Sequence, residues 1–133
     1  MSCGSAVFVA NNVSADVAVN ASIPLGTIQR RYGCALNATS TGVTVSQKGY
    51  YLINATITFT APAAGVVAIS MQDNGQQVVG IAAAESVAVA ATEQHTIALT
   101  GIVRSLYGSD VLTMVNTGIA MTPSIVSLNV VKI

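Results

Sequence analysis

Charge is what this sequence has least of. Five basic and five acidic residues make up 8% of its 133 residues and cancel to a formal net charge of zero, whereas a typical soluble domain is about 25% charged. Without a basic face, an electrostatic nucleic-acid binder is excluded. Aromatic residues are sparse as well, at 5% with no Trp. Long apolar runs are missing too. The most apolar stretch, Ile81 to Ala91, is interrupted by Glu85 and Ser86 and falls well short of the roughly 20 residues of a membrane span. A disordered tail is excluded from the other side, because 52% of the residues are apolar and disorder requires low hydrophobicity. The length suits one globular domain, and something other than charge must keep it soluble.

Other signals are also absent. Met1 to Ser5 lacks a basic stretch followed by an apolar run, so a protein made in the cytoplasm without a cleavable signal peptide is expected. Four Asn-x-Ser/Thr sequons, at Asn12, Asn20, Asn37 and Asn54, carry little weight without a secreted context. Cys3 and Cys34 either pair or, as favoured, stay two isolated buried or idle thiols, and they are too few ligands for a metal site. No phosphate-binding glycine loop, nucleophile elbow or zinc-protease motif occurs.

What the sequence does have is alternation with a period of two. Tyr51, Ile53, Ala55, Ile57 and Phe59 form one face of a long strand, and Asn54, Thr56, Thr58 and Thr60 form most of the other. Ala61 to Gly65 ends it. Val67, Ile69 and Met71 then lead to Asp73-Asn74-Gly75 and a run through Val78, Val79 and Ile81. An Asn-Gly between two apolar runs is a strong hairpin signal, since both residues tolerate positive φ. Ser86 to Ala91, His95 to Leu106, Val111 to Val115 and Ile125 to Ile133 follow as strands, with Ala6 to Val9, Val17 to Ile23, Arg31 to Leu36 and Val43 to Ser46 as shorter candidates upstream. Nine or ten short strands and no helical period predict an all-β, antiparallel sandwich or barrel. Residues 1–20 read either as an N-terminal arm or as a first strand, and residues 21–133 as the domain body.

Two late strands are apolar on both parities. Val111, Thr113 and Val115 oppose Leu112 and Met114, while Val126, Leu128 and Val130 oppose Ile125, Val131 and Ile133. A strand of an isolated sandwich shows water one polar face. A second greasy face predicts either cover by loops or cover by another copy of the chain, and the scarcity of charge favours the copy. The candidate subunit contacts are Leu112, Met114, Ile125, Val131 and Ile133.

Gly49-Tyr50-Tyr51-Leu52-Ile53 resembles the Gly-x-Tyr signature that opens a central strand in the trimeric jelly rolls of the tumour-necrosis-factor-like domains and complement globular heads. Ile23-Pro24-Leu25-Gly26, Arg30 to Gly33 and the terminal Leu128 to Ile133 look like the phage and bacterial versions of that fold. The resemblance implies a ten-strand jelly-roll sandwich that forms a homotrimer through an apolar sheet face. Two branches of the group fit. One contains fibre and decoration modules of phage or prophage virions. The other resembles the C-terminal domain of the spore-surface glycoprotein BclA, which is normally preceded by collagen-like repeats that are absent here.

Little in the sequence resembles a catalytic centre. The single histidine, His95, starts a strand, and Glu93 can share its face; a minor polar contact is expected there rather than a catalytic dyad. The acids Asp16, Asp73, Glu85, Glu93 and Asp110 are dispersed, with Asp73 and Asp110 explained by turn chemistry. No catalytic, metal or cofactor residue is assigned. Arg30 and Arg31, the one pair of adjacent charges, are candidates for an anionic ligand or for guarding a sheet edge, and Tyr107 is the candidate exposed aromatic for a glycan surface. The expected partners are the chain itself and a larger virion, with a host-surface glycan contacted by the loops Asn37 to Gly42, Asp73 to Gln76 and Tyr107 to Asp110. A lectin-like module is the alternative.

Overall fold

The structure, a computed structural model, describes residues 4–12, 15–88 and 93–133. Among these are ten strands: β1 (Ala6–Asn11), β2 (Thr27–Tyr32), β3 (Leu36–Ala38), β4 (Val43–Val45), β5 (Gly49–Thr60), β6 (Gly65–Asp73), β7 (Gln76–Val87), β8 (His95–Ser105), β9 (Asp110–Asn116) and β10 (Thr122–Lys132). They form two five-stranded antiparallel sheets, one ordered β2-β1-β10-β5-β8 and the other β3-β4-β9-β6-β7. The chain passes repeatedly from one sheet to the other, so each sheet is assembled from strands far apart in sequence. This is the expected jelly-roll sandwich.

Alternation decides what lies between the sheets. The β5 residues Tyr51, Ile53, Ala55, Ile57 and Phe59 are all buried, while Tyr50, Leu52, Asn54 and Thr56 are exposed. The first sheet adds Val7 and Val9 of β1 and Val126, Leu128 and Val130 of β10; the second answers with Val67, Ile69 and Met71 of β6 and Leu112 and Met114 of β9. Burying one such side chain contributes about 1.5–3 kcal/mol. The predicted hairpin joins β6 to β7, with Asn74 at φ 51° and Gly75 at φ 84°, both in the left-handed region that a two-residue turn of this type demands. Gly101 of β8 meets a different requirement. A Cβ there would come within 2.6 Å of Ile81 Cγ1, so its missing side chain is what lets β7 lie against β8.

Several expectations fail on strand extent. Val17 to Ile23 is not a strand; it makes the isolated bridges Val17–Met121 and Ser22–Val115, and Asn20 N donates to Asn116 O at 2.7 Å. Arg31 to Leu36 contains the turn between β2 and β3. Ser86 and Val87 are the end of a single long β7, and Val89 to Ala91 lie outside the described residues. A bulge opposite Met71 interrupts the period of β7 and leaves Val79 96% exposed, so the alternation divides this strand in two. Residues 1–20 include β1, paired between β2 and β10. Cys34, expected as an idle thiol, is disulfide-bonded; Cys3 lies outside the described residues.

Leu112 and Met114 require a correction. Both are fully buried between the sheets, so neither has surface to offer a second subunit. On the opposite parity of β9, Val111 is 41% exposed and Thr113 half-buried, and only Val115 is covered by the chain itself. Ile23 N donates to Met114 O at 2.8 Å and Asn116 N to Ala21 O at 3.0 Å, which extends the sheet beside β9 and leaves Val115 buried.

Candidate functional site

Two regions stand out, a sheet face and a loop cluster. The face is the outer side of the first sheet. Registers align Tyr32, Ala6, Val131, Leu52 and Ile102 in one row across all five strands. Ile102 is 57% and Ile133 70% exposed, and Tyr50 beside them is half-exposed with the Arg104 guanidinium 5.7 Å above its ring. Further along, the same face turns to small polar groups: Asn54 and Asn129, then Thr56 bonded to Ser127 at 2.7 Å and Thr58 to Thr96 at 3.2 Å. Ile125, 51% exposed, ends this polar half. Four of the five bases lie on the strands of this sheet (Arg30, Arg31, Arg104 and Lys132) and none of the five acids does.

Arg30 and Arg31, adjacent in sequence, do not act as a pair. Successive strand residues point to opposite faces, so Arg30, opposite Phe8, lies outward. Arg31, opposite Val7, turns toward the other sheet, where its Nε donates to Leu36 O at 2.7 Å. They lie on β2, an edge strand.

The loop cluster is at one end of the sandwich. Asn74, at the β6–β7 turn, clasps the β8–β9 loop: its N donates to Val111 O at 2.9 Å, its Oδ1 accepts from Val111 N at 2.8 Å, and its Nδ2 donates to Ser109 O at 3.1 Å. Two of the three loops named from the sequence therefore form one structure, while the third, Asn37 to Gly42, lies at the other end of β4. Sequence reading could not join turns more than 30 residues apart. Between them opens a cleft of about 420 Å³ flanked by Asp73, Asp110, Gln76, Arg104, Leu106 and Tyr107. Tyr107 is 82% exposed. Asp73 and Asp110 are within hydrogen-bonding reach of one another, and Asp73 Oδ1 is buried without a donor. Burial first, and then the neighbouring Asp110 carboxyl, raise the Asp73 pKa above its usual 3.8. Burial and the Asp110 charge likewise raise that of Tyr51, whose hydroxyl donates to Gln47 O at 2.7 Å.

His95 is packed rather than superficial. Its ring stacks on Phe59 at 5.7 Å, with Nδ1 3.1 Å from Glu85 Oε1 and Nε2 2.7 Å from Glu93 Oε1. The Glu93 contact is close but off the line of a hydrogen bond. Glu93 was foreseen from spacing on the strand; Glu85 was not, because it arrives from β7. The arrangement ties β7 to β8 at the seam between the sheets. Among the described residues no three His, Cys, Asp or Glu side chains converge as a metal site, and no helix is long and apolar enough to cross a membrane.

No protein-family profile and no curated protein matches the chain. Solved structures do. Murine APRIL at pH 8.5 superposes with a TM-score of 0.76 at 16% identity, covering 99% of this chain and 100% of that one. The PRD1 vertex protein P5 gives 0.64 at 17%, covering 100% and 99%. The globular domain of zebrafish complement 1qA gives 0.67 at 8%, covering 94% of each. With the five-on-five topology, these likenesses define the class: the chain has the tumour-necrosis-factor-like jelly-roll fold.

Proposed function

We propose that the chain is a non-enzymatic structural and adhesion subunit, a homotrimer that forms a surface component of a phage or prophage virion and presents its loops to a host surface. The observation that carries this reading is the bare outer face of the first sheet. In its apolar row Tyr32, Leu52 and Ile102 are exposed and Ala6 and Val131 half-buried, while on β9 the chain's own residues 20–23 leave Val115 buried. Exposed apolar area of that kind marks an interaction surface. The outer face of its central strands β1, β10 and β5 carries no charge, the outward Arg30 and Arg104 lying on the edge strands β2 and β8; an uncharged centre suits burial against copies of itself, since an unpaired charge there would cost several kcal/mol. Ile125, Val131 and Ile133 are the subunit contacts in this reading, with Leu52 and Ile102 added from the structure. The virion setting is supported by the likeness to the vertex protein.

The test has two parts. Electron-microscopic class averages of the purified protein should show three-fold particles, and a population of single sandwiches would contradict assembly. Particles purified from cultures encoding the chain should contain it by mass spectrometry; its absence from every particle fraction would contradict the virion role.

A further inference from the structure

The cleft between the clasped turns borders the first sheet's outer face at Arg104 and otherwise lies at the end of the sandwich, and its lining is specific. One wall is the Tyr107 ring, 82% exposed and held on a loop that Asn74 fixes by three hydrogen bonds. Facing it are the carboxyls of Asp73 and Asp110, which lie within hydrogen-bonding reach of one another. Carboxyl oxygens that line the cleft accept hydrogen bonds, so a ligand that brings hydroxyls is complementary to them. A Tyr ring offers an apolar face beside a polar tip, the complement of a pyranose, which has C–H bonds on one face and hydroxyls at its rim. A volume of about 420 Å³ lies within the range of small-molecule sites.

We propose that this cleft binds a neutral carbohydrate, with Tyr107 stacking on a sugar face and the Asp73 and Asp110 carboxyls accepting hydrogen bonds from its hydroxyls. The charge argument selects neutral over acidic sugars. Two carboxyls face the space against one guanidinium, that of Arg104, which is drawn over the Tyr50 ring. A cation is disfavoured because no third ligating side chain converges there among the described residues. The site rests on the proposed adhesion role in one respect: this end of the sandwich must face outward. A single small cleft binds weakly, and three copies on one particle would raise the avidity without new contacts.

The test is an amide-resolved NMR titration of the whole protein with methyl glycosides of glucose, galactose, mannose, N-acetylglucosamine and rhamnose, and with N-acetylneuraminic acid as the acidic arm. The expected result is saturable shifts confined to residues 73–77 and 106–110 for at least one neutral glycoside. Tyr107→Ala should weaken that binding about tenfold, and the isosteric Asp73→Asn should weaken it while the protein stays folded. The proposal is overturned if none of the five neutral glycosides gives saturable shifts, if Tyr107→Ala leaves the affinity unchanged, or if the acidic sugar binds best. Oligomeric state measured on the same sample separates the two readings. Trimers without sugar binding overturn the carbohydrate site alone; sugar-binding monomers overturn the trimer alone.

Discussion

The two sheets of this sandwich treat their outer faces differently. On the second sheet, β9 is apolar on both parities, and the chain covers part of the surplus itself: residues 20–23 run beside the C-terminal half of β9, so that Val115 is buried while Val111 stays 41% exposed, and Asn116 there is completely buried. Asn116 Nδ2 donates to Val17 O at 3.2 Å and Ile119 O at 2.9 Å, and its Oδ1 accepts from Gly118 N at 3.1 Å. On the first sheet, β10 is also apolar on both parities, yet Ile125 and Ile133 remain in the open. The same sequence pattern thus has two structural outcomes. One belongs to the folding of a single chain, and the other is available to a neighbour.

The largest expected effect comes from attacking the open face. Leu52→Asp with Val131→Asp should convert the oligomer to folded monomers, because each unpaired carboxylate forced into an apolar contact costs about 3–5 kcal/mol. Sedimentation, together with unchanged circular dichroism, checks this; an assembly that persists places the contact elsewhere. The covered region should respond to Asn116→Ala, which strands the carbonyl of Ile119 and leaves that of Val17 with Met121 N alone. A loss of about 3 kcal/mol in denaturant unfolding is expected, with no loss of subunit affinity in the fraction that remains folded.

Gly101→Ala probes the seam between the sheets. Its new methyl group meets Ile81, and overpacking of this sort costs about 1–3 kcal/mol, read as a lowered denaturation midpoint. The smallest effect concerns the loop cluster and is a matter of pH. The raised Asp73 pKa means that the folded state holds its proton more tightly than the unfolded state does. Its contribution to stability is therefore complete below the ordinary value of 3.8 and is lost as pH rises through the higher folded value. Relative to the wild type, Asp73→Asn should gain stability across that window and show a flatter profile in thermal melts at several pH values. A difference that grows in the opposite direction would contradict the carboxyl pairing.

Much of the fold was legible because β5 is unambiguous. Polar Asn54, Thr56 and Thr58 alternate with apolar Ile53, Ala55 and Ile57, so only one face can go inward. Asn74-Gly75 marked its hairpin for an equally local reason. In β9, parity shows which residues share a face, but with Leu112 and Val115 both apolar it does not show which face is the core, and Leu112 and Met114 were assigned to the wrong side. Asn116 read as the end of a strand because its partners lie up to 99 residues away. Arg30 and Arg31 read as a pair because sequence adjacency hides the pleat. Tyr107 and Asp73 were each noticed, and only the fold shows that they border one cleft.

The central claim, that the open face of the first sheet is covered by copies of the same chain, is tested most directly by light scattering coupled to size exclusion, with dilution into the low micromolar range. Three chains of 13.5 kDa per particle, unchanged on dilution, are the result expected. A monodisperse 13.5 kDa species at those concentrations would contradict it, leaving the apolar row of Leu52, Ile102 and Val131 without its cover.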